Sequence, residues 1–232
     1  MASWIVHLRI ADKLLSQIET LSSTEFIVGN IAPDSGVPNS DWSAYTPPSE
    51  VSHFCEDPED KKNTISPDKF FDKYLKDKSH GNKERSFYLG YYVHLLTDVF
   101  WHKKVFNAAK EKYLFEFQGD MNAFIWAMKG DWYDLDHLFL KKNPEFSAFL
   151  IYEAARDFTN TFMEEFAQDA FVKRQEYIVQ FYRAEHLNLE REYKYLTEAN
   201  MEQFVDEAVN DIYQVLKEQC KVSSETIKSM KD

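Results

Sequence analysis

Residues 85–102 read RSFYLGYYVHLLTDVFWH, an almost unbroken apolar and aromatic run that carries His94, Asp98 and His102 inside it. A helix that is apolar nearly all round is one buried on most sides. The run therefore predicts a central helix from Lys83 to about Lys112, with the rest of the chain packed around it. Each step of four residues turns only about 40° around a helix axis and rises about 6 Å, so the three polar residues share one stripe. His94 and Asp98 can grip one metal ion there, while His102 serves a second ion or the edge of the site. A charged Asp98 on a buried helix is costly without a partner, and the plainer alternative is a trio satisfied by Arg, Tyr and backbone groups of the core.

The composition agrees with a helical protein. Only 6 glycines in 232 residues argue against sandwiches, barrels and Gly-rich phosphate loops, all of which need many positive-φ positions. The chain is 44% hydrophobic and 16% aromatic, enough for a sizeable core, yet it has no apolar run near 18 residues to span a membrane. We expect one domain over residues 1–222 and a frayed tail over 223–232. Lys+Arg 27 against Asp+Glu 39 leaves a net charge of −12, a field that repels phosphate backbones and argues against general nucleic-acid binding. Cys55 and Cys220 lack metal-site spacing and read as reduced thiols. MASWIVHLRIADKLL sets His7, Arg9 and Asp12 within its apolar stretch, which a signal peptide would not, so the expected compartment is the cytoplasm.

Trp4, Leu8, Ala11, Leu15 and Ile18 recur at helical spacing and predict helix one over residues 3–20. Six of the seven prolines fall between Pro33 and Pro67, so a long ordered loop is expected from Gly29 to Ile65, the first place to look for ligands. Ser66-Pro67-Asp68 starts a short second helix. Beyond the central helix, further helices are expected over about 121–128, 132–140, 145–158 and 162–183, and Asn200 with Gln203 predicts a capping box for the last. His7 falls on the core-facing side of helix one. In the loop, GNIAPDSG carries Asp34 and PPSEVSHF carries His53; alone, each has a plainer reading as core or turn chemistry. Together they offer imidazole and carboxylate without thiolate, the donor set of zinc, iron or manganese in hydrolytic sites. His80 and His186 lie in polar segments and read as surface residues.

The succession SWIVHLRIADKLL, GNIAPD, PPSEVSHF and YYVHLLTDVFWH resembles the bacterial zinc-dependent phospholipase C family, whose helical fold is shared with fungal single-strand nucleases. The resemblance spans roughly residues 3–102. It implies that His53, His94 and Asp98 form one zinc site, that Asp34 bridges ions or acts as general base, and that His7 joins Asp98 at a second ion. Secreted members also use the amine of an N-terminal Trp, whereas Trp4 is internal here. Members further carry a later His-x-x-x-Glu pair, for which the nearest candidates lie in DWYDLDHLF. There Asp136 shares the apolar face of Trp132, Leu135 and Phe139 and is a further candidate ligand, while His137 points away. The expectation is an all-α, single-domain helical bundle holding one or two zinc ions. Its reaction would be hydrolysis of a small soluble phosphoester or phosphodiester by a metal-activated water, with Asp34 as the catalytic base. The alternative is a non-catalytic metal-binding or interaction protein that kept the fold. Neither membrane insertion nor a defined oligomeric state is implied.

Overall fold

The computed structural model describes residues 1–60 and 64–222, and the tail expected to fray lies outside them. Helix α1 (Trp4–Leu15) starts at Ser3, whose hydroxyl accepts from the Val6 N–H. Next come α2 (Ser23–Ile31), a 3₁₀ turn (Ala32–Asp34), a two-residue antiparallel pairing of β1 (Val37–Pro38) with β2 (Tyr45–Thr46), and α3 (Ser49–Ser52). Helix α4 (Pro67–Tyr74) begins at Pro67 as expected, and α5 (Asn82–Trp101) is the central helix. A π turn (His102–Phe106), α6 (Asn107–Tyr113) and a 3₁₀ turn (Leu114–Phe117) lead to α7 (Met121–Lys142), α8 (Ser147–Ala154), α9 (Ala170–Arg183) and α10 (Glu198–Cys220). The fold class is all-α.

The buried run explains the layout. Every residue of α5 from Ser86 to Asp98 is buried, because α2, α4, α10 and α1 cover it from different sides. Helix α1 is buried from Ile5 to Ala11 and packs on α2, α8 and α10 as well as on α5. The α2–α5 contact is the closest, and two glycines make it possible. A Cβ on Gly90 would fall 2.1 Å from the Phe26 carbonyl oxygen, and one on Gly29 would fall 2.2 Å from that of Phe87. Backbone therefore meets backbone where side chains would hold the helices apart.

Several expectations need correction. The segment from Gly29 is not loop throughout, since α2 runs to Ile31. STEFIVGNI is buried from Glu25 onward, so it has no polar face to reveal a helical period. The two helices expected over 121–128 and 132–140 are one helix running through Gly130, and the long helix expected from residue 162 begins only at Ala170. The central helix ends at Trp101, where the π turn intervenes. The last helix is capped by Thr197, with Asn200 as its reciprocal partner. Gln203, expected in that box, donates instead to Glu207 at 2.9 Å.

Candidate metal centre

Four elements deliver the candidate ligands to one place. Helix α1 brings His7, the 3₁₀ turn after α2 brings Asp34, the C-terminal end of α3 brings His53, and α5 brings His94 and Asp98. His7, His94 and Asp98 are fully buried, His53 is nearly so, and Asp34 sits at the edge of a cavity.

Backbone carbonyls fix the imidazoles. A carbonyl only accepts, so His94 Nδ1 donates to Asn30 O at 2.8 Å, and His53 Nδ1 donates to Ser49 O at 3.0 Å with Ser52 Oγ also at 3.0 Å. In the neutral imidazoles both Nε2 atoms then turn lone pairs inward, where they stand 3.3 Å apart. Asp98 Oδ2 completes a triangle, 3.4 Å from His94 Nε2 and 3.6 Å from His53 Nε2. Ligands on a tetrahedral zinc at about 2.0–2.1 Å stand about 3.3–3.4 Å from one another. The triangle thus has the size of one face of such a site.

His7 stacks on His94 with ring centroids 3.8 Å apart and planes 3° from parallel, and its Nε2 lies 3.3 Å from Asp98 Oδ1. That oxygen also accepts from the Ala2 N–H at 2.8 Å. Neither His7 ring nitrogen nor Asp98 Oδ2 has a hydrogen-bond partner. Two inward lone pairs, a bare buried carboxylate oxygen and an unpaired imidazole are unfavourable together, and a divalent cation among them relieves all three. The donor set fits zinc.

Electrostatics within the cluster point the same way. Burial pushes the His7 imidazole down to about 4, with neighbouring His94 adding to the effect, so His7 is neutral at pH 7 and able to ligate. Burial alone would raise the Asp98 carboxyl, but the charge at the chain's N-terminus, then that of His94, with the His7 and His94 nitrogens close beside it, hold it well below the usual carboxylate range. Asp34 is likewise held low against burial, by His53 first and His94 next. One Asp34 oxygen, Oδ1, faces His53 Nε2 at 3.5 Å, while the other accepts from the Trp4 indole N–H at 2.8 Å.

The protein family described as zinc-dependent phospholipase C matches this chain over residues 6–218. The chain belongs to that family. Among curated proteins and among solved structures, nothing matches it. A zinc-dependent phospholipase C is a metal-dependent phosphoester hydrolase, and in this member the described residues include two groups able to hold an ion: His7, His94 and Asp98, and Asp34, His53 and His94. No helix among its described residues is long and apolar enough to cross a membrane.

Two expected ligands lie elsewhere. His102 stands at the start of the π turn, stacks on Phe106 at 5.2 Å and lines the cavity wall, in neither candidate group. Asp136 is buried, but Ser3 Oγ (2.8 Å) and the Tyr182 hydroxyl (2.7 Å) donate to its two oxygens, and it joins neither group. His137 does not point to solvent: it is buried against Phe181 and Tyr182 and stacks on His186 at 4.3 Å, because α9 and the segment after it cover a second side of α7. His80 is also less exposed than its segment suggests, with Nε2 held at 2.7 Å from Tyr74 O. A His-x-x-x-Glu spacing occurs after residue 102 at His186 and Glu190, outside DWYDLDHLF. In the fold it supplies no ligands, since His186 pairs with Asp134 and Glu190 with Lys141. Asn30 and Trp4, which hold His94 and Asp34, left no signal beyond Trp4's place on the core face of α1.

The cavity beside the cluster has a volume of about 330 Å³. Asp34 and His53 reach it from the side of the cluster. Trp4, Tyr45, Trp132 and Tyr133 wall it with aromatic surface, and Lys129 and Arg174 supply positive charge.

Proposed function

We propose that this protein hydrolyses a phosphoester or phosphodiester bond of a small soluble substrate bound in the cavity beside Asp34 and His53. The observation that carries the reading is the triangle of His53 Nε2, His94 Nε2 and Asp98 Oδ2 with Asp34 at its open side. His53, His94 and Asp98 would hold one zinc ion, with Asp34 at its edge, and His7 with Asp98 would hold a second. Bound zinc supplies Lewis acidity toward phosphoryl oxygen and lowers the pKa of water. Asp34, ionised and facing the cavity, orients the attacking water and takes its proton. Lys129 and Arg174 offset the substrate's negative charge, and the aromatic walls keep other water away. The net charge of −12 supports a small diffusible ester rather than an anionic lipid surface.

The test is metal content by mass spectrometry of wild type beside His94→Ala and Asp98→Ala, followed by turnover of bis(p-nitrophenyl) phosphate by the loaded protein. Zinc at about one to two equivalents in wild type, lost in both variants, with turnover lost in Asp34→Ala, is the expected result. A wild type that takes up no zinc, iron or manganese overturns the reading. One that binds metal yet turns over no phosphoester is a binding protein that kept the family fold.

A further inference from the structure

The Asp34 carboxylate is gripped from outside the cluster by a group that no ligand set includes. Trp4 Nε1 donates to Asp34 Oδ2 at 2.8 Å, so only Oδ1 remains directed at His53. The indole is itself fixed. Tyr177, Phe181 and Tyr182 of α9 meet it edge-on at 6.0, 6.1 and 6.2 Å, and the Arg174 guanidinium lies 5.9 Å from its ring centre. Arg174 also donates to the carbonyl of Gly36, two residues beyond Asp34, at 2.7 Å. Helix α9 therefore braces both the donor and the turn that carries the acceptor.

This bond is no general property of indoles in the fold. The Nε1 atoms of Trp101 and Trp132 are buried without partners, whereas the Trp4 N–H meets a carboxylate. An indole N–H only donates and does not titrate in this range, so it restrains Asp34 without altering the charge of the centre. A carboxylate with both oxygens free can chelate with both or swing away; with one oxygen held, it can present only the other.

We propose that Trp4 is a positioning residue, whose indole N–H holds Asp34 so that the carboxylate offers a single oxygen to the His53–His94–Asp98 cluster. The proposal rests on the reading of Asp34 given above. Groups that orient ligands in this way typically contribute 10–100-fold to metal affinity or activity.

The test uses the full chain with ¹⁵N-labelled indoles. The Trp4 cross-peak, identified by its loss in Trp4→Phe, is expected to move in metal-free Asp34→Ala; a Trp4 peak unmoved by that substitution overturns the proposal. Zinc affinity, measured by chelator competition, or kcat for bis(p-nitrophenyl) phosphate is expected to fall about 10–100-fold in Trp4→Phe, with KM little changed. Because Phe is smaller, β-(3-benzothienyl)alanine at position 4 provides a second variant that keeps the bicyclic shape and lacks the N–H. It should reproduce the loss, while 5-fluorotryptophan, which keeps the N–H, should restore wild-type behaviour. If both variants lacking the N–H bind zinc and turn over like wild type while Asp34→Ala fails, Trp4 has no positioning role and the reading of Asp34 stands. If Asp34→Ala itself behaves like wild type, that reading falls and the proposal with it.

Discussion

Asp136 and His137 are adjacent in sequence and buried on different sides of α7, and burial acts on them in opposite senses. Burial pushes the Asp136 carboxyl up to about 7, against hydrogen bonds from Tyr182 and Ser3 and the charge of Arg9. Its folded value lies above its unfolded one, so the native state binds the proton more tightly, and this contribution to stability is lost as pH rises toward 7. His137 is pushed down to about 4 by burial and then by His186, with Asp134 opposing. Here the unfolded chain binds the proton more tightly, so stability is lost as pH falls from about 6.5 toward 4. Between pH 5 and 6.5 the two slopes oppose each other. Asp136→Asn should therefore unmask a urea midpoint that rises with pH across that window, relative to wild type, and His137→Phe one that falls. Midpoints of both variants that track wild type at every pH would show that neither group is perturbed in the fold. At the centre itself, residue types announced the candidate ligands that the fold brings together, because imidazole and carboxylate are rare within apolar runs. Asp136 obeyed the same pattern and proved to be satisfied by two hydroxyls, since periodicity reveals that a side chain is buried and not which neighbour meets it.

Helices α2 and α5 meet through glycine, and the meeting matters to the centre because Asn30, at the end of α2, holds the His94 imidazole of α5. A Cβ on Gly90 would strike the Phe26 carbonyl oxygen and stand 2.8 Å from the Asn30 amide nitrogen. These are backbone atoms with no rotamer to yield, so the helices must separate. Gly90→Ala is expected to cost about 3 kcal/mol and to weaken zinc binding through the displaced Asn30 carbonyl. The control is Gly130→Ala on α7, where a Cβ would meet nothing within 4 Å. It should stabilise by about 0.5–1 kcal/mol, because alanine restricts the unfolded chain and favours helix. Urea unfolding of both variants checks the pair, and equal destabilisation would sink the distinction. The same contact explains why α2 escaped detection. A short helix buried on nearly every side reads like a hydrophobic loop, whereas α5, equally apolar, was long enough to admit no other reading. Likewise Gly130 and the π turn after Trp101 misled the boundaries, since a glycine permits a break without requiring one.

Across the molecule, α1, the 3₁₀ turn after α2, α3 and α5 meet at the cluster, whose groups repel or lack partners without a cation. The inward Nε2 atoms of His53 and His94, the unpaired nitrogens of His7 and the bare Asp98 Oδ2 must all be desolvated for the core to close. An ion bound there is held by segments distant in the chain and brought together only by folding, so its binding energy stabilises the fold. At a hundredfold excess of free zinc over its Kd, the native state should gain about 2.7 kcal/mol. For a chain of this size that is a rise of roughly 5–10 °C in melting temperature. Calorimetry with zinc and with EDTA measures it. His94→Ala should lose the shift, because it removes the one ligand common to both candidate groups. A shift that survives in His94→Ala would place the stabilising ion outside the cluster, and no shift in wild type would mean that the four segments close around their histidines and aspartates without metal.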